Sequence, residues 1–375
     1  MLTQTGRAKN VRPNSSRNID VAPAKGSESV SLLHSKMEEQ KENILGQDEN
    51  KKPADDPAYV KAACPAQSGI MAPVTTEPAS QGEFSDPVYK EIAMANGHIN
   101  RMSREELRLK LSELKLDTRG VKDVLKKRLK SYYKRQKLTV SPGEAEKSRQ
   151  FYDFICVVDF EATCEESNPQ DFEHEIIEFP IVLIDTHKME IVDSFQAYVQ
   201  PQLNPRLSDF CIQLTGITQK MVDDADPFPT VIRRVVNWMQ ERELGTKHRY
   251  TLLTDGSWDM SKFLNIQCRL SGLRYPPFAR KWINIRKSYG NFYKVPRVNT
   301  KLSSMLEKLG LQYEGRPHCG LDDSRNIARI ALRMLADGCQ LRPNEQLFEG
   351  QLLGVTGSTP LEGAPPPNNP KGRHH

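Results

Sequence analysis

The chain has 375 residues, room for two or three folded units, with 53 Lys/Arg against 48 Asp/Glu and a formal charge of +5. That balance is uneven: residues 101–137 hold 14 Lys/Arg and 5 Asp/Glu, a local +9, and the rest sums to −4, so one short segment in particular expects a polyanion. No apolar run approaches the roughly 18–20 residues of a membrane span, the first residues lack a signal-peptide core, and seven scattered cysteines without a C-x-x-C pair argue against a disulfide scaffold or zinc site and for a reducing compartment.

Residues 1–97 are dominated by Pro, Ser, Gln, Glu, Lys and Ala and show no persistent helix or strand period, which predicts a disordered leader. The basic segment that follows, residues 98–138, has its own order. Ser103-Arg104-Glu105-Glu106 has the spacing of a capping box, and Leu107, Leu111 and Leu114 follow at helical intervals. After a Thr118-Arg119-Gly120 turn, Val121, Val124, Leu125, Leu129 and Tyr132 mark one side of a second helix. This two-helix hairpin has a cationic polar face, and Arg101, Lys122, Lys126, Lys127, Arg128 and Lys130 are its candidate nucleic-acid contacts. Ser103, Glu106-Leu107, Leu111, Leu114, Leu116, Thr118-Arg119-Gly120, Lys122, Leu125 and Arg128-Leu129 resemble the SAP module, which implies binding to DNA or structured RNA.

Residues 139–150 form a Ser-Pro-Gly linker, and residues 151–340 make a larger domain. Phe154 to Val158 is apolar throughout, as in a strand buried on both faces. Ile176–Ile184, Ile191–Val199 and Tyr250–Thr254 read as further strands, and Thr230–Glu241, Ser257–Leu270, Lys301–Leu309 and Asp322–Leu335 as helices. This order predicts an α/β domain with a mixed central sheet. Residues 341–375 read as a flexible tail.

Three separated segments present inward carboxylates. Asp159 and Glu161, two apart at the end of the first strand, project to one face, and two like charges there call for a divalent cation. Asp259 lies on the apolar stripe shared with Phe263, Ile266 and Leu270, whereas Asp255 reads as a turn former. Asp323 stands four residues before Ile327 on the buried face of the last helix, and Asp322 aligns with its polar face as an N-cap. His318 lies in the preceding glycine-containing loop, free to swing over the site. Two-metal hydrolysis suits this donor set: Asp159, Glu161, Asp259 and Asp323 as ligands of two Mg²⁺ ions, with His318 taking the proton of the attacking water. Phe160 and Trp258 flank the ligands and either stack on a terminal base or pack in the core.

Asp159-x-Glu161, then Asp259, then His318 and Asp323, resembles the DEDDh branch of the 3′-to-5′ exonucleases, with Leu214-Thr215-Gly216-Ile217-Thr218 similar to the family's segment near the terminal nucleotide. The resemblance implies an RNase H-like fold, release of 5′-monophosphates, and contact of Glu161, Ala162 and His318 with the terminal nucleotide. A SAP module joined to such a nuclease is similar to the branch that trims structured RNA. It implies histone mRNA stem-loops, 5.8S ribosomal RNA and small interfering RNA as substrates, and stem-loop or duplex RNA with a 3′ overhang as partner. It also implies the histone stem-loop-binding protein and the ribosome as further partners, and residence in cytoplasm and nucleus, including the nucleolus. A DNA 3′-to-5′ exonuclease and a non-catalytic nucleic-acid-binding scaffold are the alternative readings.

Overall fold

The computed structural model describes residues 87–138, 151–167, 169, 171–354 and 356–366. The leader as far as residue 86 and the linker 139–150 lie outside the described residues. Within them no helix is long and apolar enough to cross a membrane.

The basic module has three helices rather than two: α1 (Pro87–Arg101), α2 (Arg104–Glu113) and α3 (Lys122–Leu138). The leader expected to be disordered to residue 97 is therefore helical over 87–97. Its apolar signal is sparse, but Ile92 and Ile99, seven apart, share one face, and both are buried. Ile99 joins Leu107, Leu111, Leu125 and Leu129 in a small core. Lys137 reaches Glu91 at 2.6 Å across α1 and α3. The capping box forms as the spacing predicts: Glu106 N–H donates to Ser103 Oγ at 3.2 Å and Ser103 N–H to Glu106 Oε2 at 2.6 Å.

The larger domain is built on one mixed sheet. Strand β1 (Phe154–Val157) pairs antiparallel with β3 (Ile176–Asp185) on one side and parallel with β5 (Tyr250–Thr254) on the other. The two-residue β2 (Glu161–Ala162) continues along β3, whose far edge carries β4 (Glu190–Tyr198). Strand β6 (Lys281–Asn284) extends the sheet parallel to β5, and β7 (Glu345–Gln346) closes it antiparallel to β6. Every residue of β3 is buried, so the sheet is covered on both faces there, and the strand pattern alternates between two cores. Cys156 and Val158 face one, with α6 (Phe228–Glu241) and α7 (Leu264–Leu270). Ile155 and Val157 face the other, with α8 (Ile285–Tyr293), α9 (Leu302–Leu309) and α10 (Gly320–Ala336). By the same alternation Asp159 and Glu161 fall on the α10 side.

Two short helices, α4 (Asp209–Thr215) and α5 (Gln219–Asp223), carry their own caps, Ser208 and Thr218. The segment from residue 341 is not a loose tail as far as it is described. Leu341 and Leu347 are buried, β7 pairs with β6, and Thr359 N–H donates to Gly272 O at 2.9 Å. Edge pairing and two apolar anchors supply the order that its composition does not advertise.

Candidate functional site

The first motif sits where β1 ends. Phe160 points its ring into the core, edge-on to Phe179 at 4.7 Å, while its backbone N–H donates to Asp259 Oδ1 at 2.9 Å. The third carboxylate is thereby tied to the backbone between the first two. Base stacking by Phe160 is corrected by that burial: the residue is 4% exposed and packs in the α6 core. Asp259 opens a widened, π-helical turn (Asp259–Phe263) between β5 and α7, a geometry common at functional sites. Trp258, half-buried, meets Phe263 edge-on at 6.0 Å and carries Lys262 Nζ 4.2 Å from its ring centroid. Asp255 is no Asx-turn former: Arg286 Nε donates to its Oδ2 at 2.9 Å. Ala162 is buried, and its carbonyl accepts the Cys211 thiol at 3.8 Å.

Helix α10 is anchored at its N-terminus by Glu178 of β3, which accepts Gly320 N–H at 2.9 Å, Leu321 N–H at 3.3 Å and the Gln196 amide at 2.7 Å. A carboxylate satisfies otherwise unpaired amides there and complements the helix dipole. Burial pushes the Glu178 carboxyl up, against the lowering effect of these three donors. Gly320 is required by close approach: a Cβ would lie 2.6 Å from Asp159 O. Because α10 starts at Gly320, Asp322 is in its first turn and not its N-cap; Asp322 instead accepts Arg316 N–H at 2.9 Å.

Asp323, 6% exposed, is held at both oxygens, by Tyr313 O–H on Oδ1 at 2.7 Å and by His318 N–H on Oδ2 at 2.8 Å. Burial, then the charge of Asp323, raises the Tyr313 hydroxyl above its ordinary range, so it remains a donor. His318 adopts a left-handed backbone, φ 60°. Its loop is not free to swing as expected: besides the Asp323 contact, Arg316 donates to the carbonyls of Gln213 at 2.9 Å and Leu214 at 3.2 Å. The Arg316 side chain lies where any Cβ on Gly216 would be, which couples the histidine loop to the Thr215-Gly216-Ile217-Thr218 segment.

One donor atom each from Glu161, His318 and Asp323 lies within 4.8 Å of the others. Asp259 is linked to this cluster through Phe160, and the Asp159 backbone packs against Gly320 at the start of α10. Of the expected residues, Glu161, His318 and Asp323 thus meet at one place, with Asp259 tied to the backbone beside them. Tyr313 and Glu178 were missed by sequence reasoning. Glu178 had a signal, a charge inside the otherwise apolar Ile176–Ile184 run; Tyr313, ten residues before Asp323 in a loop, had none.

Of the hairpin cations, Arg101 and Lys122 are exposed, and Lys126 and Lys130 half-buried. Lys130 Nζ bonds Asn100 Oδ1 at 2.5 Å, and Lys127 Nζ sits 4.3 Å from the Phe292 ring centroid. Arg128 is corrected: it is buried against Asp337, Nε to Oδ1 at 2.6 Å, and cannot meet a nucleic acid.

The exonuclease family model matches residues 156–331, and the SAP domain model residues 98–134. The 3′-5′ exoribonuclease 1 of Homo sapiens is 69% identical over 292 residues, which span 78% of this chain and 83% of the human protein. The solved nuclease domain of 3'hExo, a DEDDh family member, bound to rAMP, is 72% identical and covers 52% of this chain and 98% of that one, with a TM-score of 0.52. The chain belongs to the DEDDh 3′-to-5′ exoribonuclease family. A second solved structure, of the 3′-end specific recognition of histone mRNA stem-loop by 3′-exonuclease, is 68% identical and covers 76% of this chain and 98% of that one, with a TM-score of 0.55. The Schizosaccharomyces pombe 3′-5′ exonuclease eri1 is 34% identical over 67% of this chain and 93% of its own length.

The DEDDh family works with divalent metal ions, and the residues here fit one. Glu161 and Asp323 offer hard oxygen donors beside an imidazole within one ion's reach, a set that suits a hard divalent cation better than the thiolate-rich sites of zinc.

Proposed function

We propose that this DEDDh exoribonuclease grips stem-loop or duplex RNA through the cationic face of its SAP module and trims the protruding 3′ end with two Mg²⁺ ions, releasing 5′-nucleoside monophosphates. The observation that carries this reading is the convergence of Glu161, His318 and Asp323 within 4.8 Å, on the same body to which the basic helices are docked.

Asp159, Glu161, Asp259 and Asp323 would hold the ions. When bound, these supply charge neutralisation at the scissile phosphate, activation of the water and stabilisation of the leaving oxygen. The protein's own groups do the rest. A ring nitrogen of His318 takes the proton from the attacking water, a task suited to an imidazole general base. The Asp323 contact and the left-handed conformation hold the His318 backbone beside the carboxylates. Glu161, at the start of β2, receives the terminal ribose hydroxyl, and the Ala162 backbone borders the terminal nucleotide. Trp258, at the site margin, offers a stacking surface for its base.

The similarity to a structure of histone mRNA stem-loop recognition supports histone mRNA decay as one role. The 3′ end of 5.8S ribosomal RNA and small interfering RNA are further substrates of this reading. The histone stem-loop-binding protein would share the RNA, the ribosome would be a docking partner, and the protein would work in cytoplasm and nucleus, including the nucleolus.

The division of labour is tested by Lys122→Glu/Lys126→Glu, which should weaken binding to a stem-loop RNA while leaving the rate on a short unstructured strand near that of the parent. Equal losses on both substrates would argue against separate grip and trimming sites.

A further inference from the structure

The SAP module is seated on the nuclease body by a buried network. Arg128 donates from Nε to Asp337 Oδ1 at 2.6 Å and from Nη2 to Oδ2 at 3.1 Å, and Asp337 Oδ2 also accepts the Tyr293 hydroxyl at 2.7 Å. Both charged side chains are 2% exposed. The remaining arm of the guanidinium turns back into the module and donates to the carbonyls of Asp117 at 2.5 Å and Arg119 at 2.8 Å. Around this pair Arg333 meets Asp117 at 2.5 Å, and Val121 N–H donates to Lys308 O at 2.9 Å. Gly310 approaches Gly120 so closely that a Cβ would lie 2.7 Å from its nitrogen. Val124 is part of the nuclease core.

Asp337 caps the C-terminus of α10, the helix that carries Asp323 in its first turn. Fourteen residues separate the two aspartates, about 21 Å at 1.5 Å per residue. One continuous helix therefore connects the seat of the RNA-gripping module to the candidate metal site. A buried ion pair is a weak source of stability, because desolvation offsets most of its attraction, but a two-pronged Arg–carboxylate pair fixes orientation. A module hung on a loose linker would let a bound stem drift relative to the site and give a range of stopping points.

We propose that the Arg128–Asp337 pair positions the SAP module so that the distance from duplex grip to metal site is fixed, and that this distance sets the nucleotide at which 3′ trimming of a stem-loop RNA stops. The proposal rests on the trimming activity described above; Arg128 and Asp337 act as positioning residues and touch neither substrate nor metal.

The test maps end products at nucleotide resolution on a 5′-labelled stem-loop RNA with a 3′ tail, for the full chain and for Asp337→Asn. Module seating is read by energy transfer between dyes on Leu109→Cys and Val298→Cys, both exposed positions. The parent should give one dominant end product. Asp337→Asn should unseat the module and spread the product over several nucleotides, with the initial rate on an unstructured oligonucleotide changed by no more than about twofold. A merely weakened fold would lower both rates together and leave the end product in place, which overturns the proposal. So does an unseated module with an unchanged end product, or a module that stays seated in the variant. Should Asp337→Asn fail to fold, Arg128→Lys, which keeps the charge but loses the two-pronged contact to Asp337, is read by the same criteria. A parent that trims no RNA would count against the proposed function instead.

Discussion

The backbone N–H of Phe160 donates to Oδ1 of Asp259 at 2.9 Å, joining residues 99 apart in sequence. This bond fixes the carboxylate of the π-helical turn against the strand end that carries Asp159 and Glu161. It separates the structural from the chemical work of Asp259. Asn at this position keeps an oxygen acceptor for Phe160 but loses the charge; Ala loses both. Asp259→Asn should therefore melt close to the parent while its hydrolysis rate falls at least about a hundredfold, the loss of roughly 3 kcal/mol of transition-state stabilisation. Asp259→Ala should lose the rate and also some thermal stability. Melting curves beside single-turnover rates distinguish the two.

Tyr313 holds Asp323 Oδ1, while His318 N–H holds Oδ2. Groups that orient metal ligands typically contribute 10–100-fold in metal affinity or activity. Tyr313→Phe should raise the Mg²⁺ concentration needed for half-maximal rate by about tenfold or more and leave the KM for RNA nearly unchanged. A Mg²⁺ titration of the rate checks this; a shift in KM alone would place Tyr313 at the substrate instead.

Acid should loosen the seating of the SAP module. Burial opposes the charge of Asp117, but hydrogen bonds from Arg119 and the charges of Arg333 and Arg128 outweigh it and hold the carboxyl at about 2, below its ordinary 3.8. A carboxyl lowered on folding stabilises the fold above its unfolded pKa and loses that contribution as pH falls through the folded one. The contribution of Asp117 should thus be whole above about pH 4 and vanish towards pH 2. Melting temperatures from pH 5 to 2.5 should fall less steeply in Asp117→Asn than in the parent.

The cations of the module should divide into two kinds. Lys122→Ala should weaken RNA binding across sequences and reduce the salt slope by about one. Arg128→Met should instead lower stability, by about 3–5 kcal/mol, because Asp337 is left buried without its counter-charge. Salt-dependent binding together with denaturant unfolding checks both.

The parts of the site that could be read from the sequence are those fixed by local periodicity. Asp159 and Glu161 stand two apart on a strand, and Asp323 four residues before Ile327 on a helix face. What could not be read depends on distant partners. Arg128 looked like one more exposed cation because its counter-charge, Asp337, is 209 residues away. Helix α1 has two buried isoleucines and a glycine, and α3 supplies the surface that makes it fold. The two residues of β7 carry no strand period and are ordered by the edge of β6. The tether on His318 was hidden for the same reason: Arg316 finds its acceptors at Gln213 and Leu214, near the C-terminal end of α4 and about a hundred residues earlier.

The central claim, that the carboxylate–histidine cluster removes nucleotides from RNA 3′ ends, is tested most directly by product analysis on matched RNA and DNA stem-loops with identical 3′ tails, with Mg²⁺ or with chelator, for the parent and Asp159→Ala. The account predicts stepwise loss of the RNA tail from its 3′ end with release of 5′-monophosphates, only with Mg²⁺ and only in the parent, while Asp159→Ala still binds the RNA. DNA hydrolysed as fast as RNA, or appreciable Mg²⁺-dependent turnover by Asp159→Ala, would contradict it.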